Sequence, residues 1–210
     1  MKIIEIKSLV IPEVKVIRYA RFSDDRGYFT ETFRKSDFAG QVPFFKALDF
    51  YQINESCSKK NVVRGLHFQW NPYMGKLVRT VVGQMVDIVL DIRLNSPTFG
   101  KAIAYDMPAS RDQKFGDWIW VPPGFAHGNF YEQDTIIEYF CSGEWSPQCE
   151  LGINPHSADI DWSLCDPNIK KRFDQISAHG ALMADKDRQG LSLSDWKKDS
   201  RSQFFVYGAF

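Results

Sequence analysis

The 210-residue chain carries no net charge, since 26 Lys and Arg balance 26 Asp and Glu. Without a surplus of positive charge it has no broad field to attract nucleic acid or an anionic membrane, although a local basic pocket for a small phosphate remains open. Long apolar runs are scarce. The opening MKIIEIKSLVIPEVKVIRY interrupts its apolar letters with lysine and glutamate, so it reads neither as a signal peptide nor as a spanning helix, and a cytoplasmic protein is expected. Cysteine is sparse and scattered: Cys57, Cys141, Cys149 and Cys165 form no CxxC pair. A disulfide framework is not expected, and reduced thiols that serve packing are the default. The four histidines include no HxH or HxxxH pair. A metal site at His127 is therefore the lesser reading, and a hydrogen bond from His127 to a phosphate the preferred one. No repeat, low-complexity tract or Pro/Ser-rich linker divides the chain.

What is present is a globular composition, 44% hydrophobic and 15% aromatic, long enough for one large domain with a sizeable core. Short runs rich in Val, Ile, Phe, Tyr and Thr recur between Gly, Pro, Asn and Asp: VKVIRYARF, GYFTETF, FYQINESC, VVRGLHFQ, KLVRTVVG, QMVDIVLDIR, AIAYDMP, DWIWVPPG and TIIEYFCSG. Each fits a strand of five to nine residues. In Gln84 to Arg93 the residues Val86, Ile88, Leu90 and Ile92 alternate with Met85, Asp87, Val89 and Asp91, giving one fully apolar face. Gly83 reads as the punctuation that separates this strand from the one before it. The expected fold is all-β, a jelly-roll sandwich or barrel with a few short peripheral helices. RKSDFAGQ and LSLSDWKKD supply the helix signals, the latter with Ser192 or Ser194 as cap.

The segment VVRGLHFQ places His67 in an apolar, strand-like run, where a base in a dry cavity has its proton affinity and tautomer set by neighbours. Arg64 and His67 are three apart, so both face one cavity only if the strand is distorted between them; Gly65 is the candidate bulge. Beyond the turn Trp70 to Gly75, a hairpin would bring Lys76 back toward His67. A cation beside a neutral imidazole suits removal of a proton next to a carbonyl. VPPGFAHG reads as a rigid turn that delivers His127 to a rim. DDRGYFTE reads as a charged hairpin at a strand start. Trp145 is a loop aromatic, either a satellite core residue or a platform for a planar base.

Taken together, DDRGYFTE, QINES, VVRGLHFQ, GKLVR, DIVLDIRLNSPTFG, PPGFAHG and ADKD, in this order from about residue 3 to 190, resemble the dTDP-4-dehydrorhamnose 3,5-epimerase family. Its members are cupin-type jelly rolls that act on nucleotide-linked 4-ketohexoses. The resemblance implies that His67 is the proton-abstracting base, Asp187 the carboxylate that holds it, Lys76 the cation near the ketone, and Tyr139 the proton donor on the opposite face. It implies substrate contacts from Arg26, Phe29, Glu31, Gln52, Asn54, Arg64, His127, Glu150 and Lys186, with Trp145 stacking on the base. No cofactor and no metal are implied, and a homodimer that lends N-terminal residues across its interface is expected. Departures are visible: HGN stands where relatives often have HGF, the hairpin before Tyr139 and the turn before Lys76 are each a residue short, and a tail extends past the usual end. The domain is accordingly drawn at 1–190, with 191–210 as an extension packed on the same domain or on a partner.

The reaction so implied is epimerisation at C3, C5 or both of a nucleoside-diphosphate 4-keto-6-deoxyhexose, the nucleotide (dTDP, CDP, GDP or UDP) staying open. A 3-only or 5-only epimerase, a non-catalytic sugar-nucleotide-binding cupin and a metal-dependent cupin are the other readings.

Overall fold

Alternating apolar letters make most of the chain extended. The computed structural model describes residues 1–209, apart from the Pro43 side chain. Twelve strands appear among them: β1 Ile3–Ser8, β2 Lys15–Ala20, β3 Phe22–Asp24, β4 Gly27–Phe29, β5 Gln52–Ser58, β6 Val63–Gln69, β7 Lys76–Asp91, β8 Ala102–Ala109, β9 Phe115–Val121, β10 Phe125–Tyr131, β11 Thr135–Cys141 and β12 Glu150–Gly152. Four α-helices are added: α1 Lys35–Gln41, α2 Pro167–Ala178, α3 Asp185–Arg188 and α4 Leu193–Lys198.

One antiparallel layer has the order β1-β2-β9-β7-β11-β5, and the other β8-β7-β10-β6-β12. The long β7 belongs to both. Its first half pairs with β9 and β11 and its second half with β8 and β10, so the chain changes layers without a loop. Gly83 sits at that change. Its φ of +88° suits glycine, and a Cβ there would come within 2.5 Å of the Asp134 carbonyl oxygen. Gly83 therefore bends one strand and does not separate two, which corrects the sequence reading.

The alternation along β7 also decides where the interior lies. Val86, Ile88, Leu90 and Ile92 pack outward with Phe173 and Ile176 of α2 and Trp196 of α4. Met85 and Val89 point between the layers and meet Val16, Ile119 and Ile137 of the other sheet. A third cluster, with Tyr19, Leu77, Trp118 and Trp120, is covered by Phe38 of α1 and by Phe45. The result is the jelly-roll sandwich, cupin-like in its β architecture, with a polar gap in its interior.

Other elements depart from expectation. VKVIRYARF splits into β2 and β3, and GYFTETF is a strand only over Gly27–Phe29. The helix α2 was not anticipated, although Asp166 caps it by accepting from the Asn168 N–H and Pro167 occupies its first position. The anticipated helices are present as α1 and α4, and Ser192 is the cap of α4. The four cysteines are free thiols. Among the described residues no helix is long and apolar enough to cross a membrane.

Candidate active site

The interior gap is a cavity of about 480 Å³ lined by the facing sides of both sheets. His67 enters it from β6. Between β6 and β10 the register runs His67↔His127 and then Arg64↔Asn129, so three steps on β6 oppose two on β10. That extra residue is the bulge that turns Arg64 and His67 to one side. Glycines make it possible: Gly65 has φ +100°, and a Cβ on Gly128 would lie 2.2 Å from the Arg64 carbonyl oxygen.

A carboxylate fixes the His67 ring. His67 Nε2 lies 2.6 Å from Asp187 Oδ1, and Asp187 Oδ2 accepts from the Gly65 N–H at 3.2 Å. Asp187, delivered by α3, is 4% exposed. Burial pushes its carboxyl up, but the bonds from His67 and Gly65 and the charge of Lys186 outweigh this and hold it below the usual carboxylate range. An ionised Asp187 accepts a hydrogen bond from the Nε2–H and leaves the other ring nitrogen as an acceptor.

Lys76 opens β7 in the opposite sheet. The sequence-based hairpin is not what joins it to His67: β10 lies between β6 and the second half of β7, and Lys76 reaches the cavity across the gap between layers. It makes no ion pair among the described residues. Burial pushes its ammonium below the usual value, while Cys141, Glu150 and Asp87 pull the other way. Its Nζ is 6.0 Å from the Tyr139 ring centroid.

Tyr139 enters from β11, opposite Val78 and Asn54. The register between β11 and β7 shifts between Ile136 and Ile137, and along the regular stretch that follows Tyr139 packs with the inner cluster while Phe140 joins the outer one. Burial pushes the phenol above its ordinary value, so it keeps its proton at neutral pH.

The cavity also collects Gln52, Asn54, Arg64, His127, Trp145, Glu150 and Lys186. Trp145 stands at the mouth, 55% exposed, with its backbone N–H held by Gln52 Oε1 at 2.8 Å. His127 is no rim residue: it is buried in the central strand β10, and its Nε2 lies 2.7 Å from Asp87 Oδ2. Three anticipated contacts stay outside. Arg26, Phe29 and Glu31 lie in or beside the β3–β4 hairpin; the Arg26 side chain is 89% exposed and pairs with Asp24, and Glu31 pairs with the Met1 amino group and Arg34.

Sequence reasoning overlooked Asp87, Asn129 and Cys141. Asp87 is fully buried and its Oδ1 has no hydrogen-bond partner among the described residues, while Asn129 and Cys141 line the cavity. In the sequence Asp87 stands between Val86 and Ile88 on the face opposite the apolar one, with Asp91, where a carboxylate reads as solvent-facing. Among the described residues no group of three or more His, Cys, Asp or Glu is placed to hold a metal ion.

The arrangement can remove a proton from carbon with His67, stabilise an adjacent oxyanion with Lys76 and return a proton from Tyr139. Comparison with known proteins supplies the family. The profile of the dTDP-4-dehydrorhamnose 3,5-epimerase family matches residues 8–195. A dTDP-4-dehydrorhamnose 3,5-epimerase from Shigella flexneri is 36% identical over 189 residues, 88% of this chain and 93% of its own. Among solved structures, a dTDP-6-deoxy-D-glucose-3,5-epimerase from Legionella pneumophila in complex with dTDP-4-keto-L-rhamnose superposes with a TM-score of 0.75 at 30% identity, covering 90% of this chain and 93% of that one. A 4-keto-6-deoxy sugar epimerase from Streptomyces spheroides gives a TM-score of 0.78 at 25% identity, covering 100% of this chain and 95% of that one. With most of its length matched, this chain belongs to the dTDP-4-dehydrorhamnose 3,5-epimerase family.

Proposed function

We propose that the protein epimerises a dTDP-linked 4-keto-6-deoxyhexose at C3 and C5, working as a homodimer in the cytoplasm. The observation that carries this reading is the convergence of His67 with its Asp187 partner, Lys76 and Tyr139 on one cavity. In each inversion the C–H bond next to the C4 ketone breaks. The free nitrogen of His67 takes the proton, and the electron pair moves to the ketone oxygen as an enolate. The Lys76 ammonium stabilises that oxyanion, an effect worth about 3 kcal/mol in a water-poor site. As the enolate collapses back to the ketone, Tyr139 gives its phenolic proton to the other face of the carbon; His67 then releases the proton it took to solvent and the phenolate takes one back, which resets both groups for the second carbon. Asp187 holds the imidazole tautomer as a carboxylate does in a catalytic triad. Trp145 and Arg64 are assigned to the nucleotide half, at the mouth of the cavity.

The dimer reading is supported by the β3–β4 hairpin. It leaves Phe22 and Phe29 exposed and carries Arg26 away from its own cavity, toward a place where a second chain could use it.

Incubating the wild-type protein with dTDP-4-keto-6-deoxyglucose in D₂O and following it by NMR tests the reaction. Deuterium entering at both C3 and C5 is the expected result. Deuterium at one carbon would restrict the assignment to a single epimerisation, and deuterium at neither would overturn it.

A further inference from the structure

Residues 196–207 lie beyond the segment matched by the family profile, and several of them are built into the fold. Trp196 is fully buried and donates its indole N–H to the Ile92 carbonyl at 3.1 Å. The Leu94 N–H donates to the Phe205 carbonyl at 2.7 Å, and the Tyr207 N–H to the Leu94 carbonyl at 3.0 Å. The tail is thus fixed to the end of β7.

From that base it reaches the turn that joins β6 to β7, the connection between His67 and Lys76. Trp196 and Phe205 pack on Phe68, with ring centroids 4.6 and 5.2 Å away. Phe204 stacks on Trp70 at 6.2 Å, and its carbonyl accepts from the Tyr73 hydroxyl at 2.8 Å. Phe205 meets the Tyr73 ring edge-on at 5.7 Å. The next residue, Met74, lines the cavity. The turn is also tied to the Trp145 loop: Gln69 donates to the carbonyls of Pro72 and Glu144 at 3.0 and 2.9 Å and accepts from the Ser146 N–H at 2.8 Å.

We propose that the C-terminal tail is a positioning element for the mouth of the cavity: Phe204 clamps the Trp70–Gly75 turn, the turn holds the Trp145 loop through Gln69, and this chain of contacts sets affinity for the nucleotide half of the substrate. The proposal rests on the reading that this cavity binds a nucleotide sugar. It assigns the tail to binding and not to the chemical step, because among the described residues no bond or ring contact of the tail reaches His67, Lys76 or Tyr139, whose own supports are Asp187 and the two sheets.

The test uses the full-length chain with Phe204→Ala, because deleting the tail would remove Trp196 and Phe205 from the core. Phe204 is 47% exposed, so its truncation spares the core. Calorimetric titration with dTDP, which needs no turnover, is expected to show about fivefold or weaker binding, with KM rising in parallel and kcat within about twofold of wild type. Phe204→Tyr should restore both constants, since it keeps the stacking ring. Equal dTDP affinity in wild type and Phe204→Ala would overturn the proposal, as would a fall in kcat at unchanged KM. A wild-type protein that binds no dTDP would instead overturn the nucleotide reading beneath it.

Discussion

At the scale of single residues, the site is built from groups whose protonation is set by what surrounds them. Asp187 stays ionised because its bonds to His67 and Gly65 outweigh its burial, and Tyr139 stays protonated because burial disfavours a phenolate. Lys76 is pushed the other way, below its usual 10.5. If its ammonium stabilises the enolate, kcat/KM, which reports the free enzyme, must fall as pH rises through that lowered value, so its alkaline limb lies below pH 10.5. The phenol, raised above 10.0, does not produce that limb. A pH–rate profile checks this: Lys76→Arg should move the limb upward, since guanidinium does not lose its proton, and Lys76→Met should lower kcat by about 10²- to 10³-fold. That His67 and Lys76 share a cavity was legible from VVRGLHFQ and the turn before GKLVR, whereas Tyr139 was reached through the family resemblance and not from its own residues. Asp87 was not legible, because a carboxylate in an alternating strand reads as a solvent-facing residue until the second layer covers it.

At the scale of elements, the decisive device is the bulge at which β6 and β10 nest. Gly65 was a readable signal for it, since glycine inside a strand marks a distortion. Its counterpart Gly128 was read as part of a turn. Pro122, Pro123 and Gly124 do lie in the connection before β10, but the strand begins at Phe125 and every residue of it is buried. Strands buried on both faces lose the alternation that identifies them, which is why β10 escaped notice. The helix α2 escaped because the loop-like letters around Asp166 and Pro167 masked a capped amphipathic segment. Gly128→Ala tests the bulge directly. Its Cβ would meet the Arg64 carbonyl, so the two strands must separate, at a cost of about 2 kcal/mol or more in stability. Chemical denaturation should show that loss, and turnover should fall well beyond it because Arg64 and His67 no longer share a face.

At the scale of the whole molecule, the shared strand β7 places Lys76 in one sheet and Asp87 in the other, so the cavity exists only when both layers close. The jelly roll was legible from repeated short strands with turn signals. The strand order was not, since pairing between distant strands leaves no local mark. Beyond one chain, the proposed dimer makes a sharp prediction for mixtures. His67→Ala and Arg26→Ala chains, each inactive alone, should regain activity when refolded together if Arg26 serves the partner's cavity, because one site per mixed dimer then has both residues. No recovery would place Arg26 in its own chain's site. The central claim is that an imidazole and a phenol work on opposite faces of one substrate, and solvent-deuterium exchange in two variants tests it most directly. His67→Ala should abolish deuterium entry at both carbons, whereas Tyr139→Phe should still exchange while inverting poorly. Undiminished exchange in His67→Ala, or full inversion in Tyr139→Phe, would contradict it.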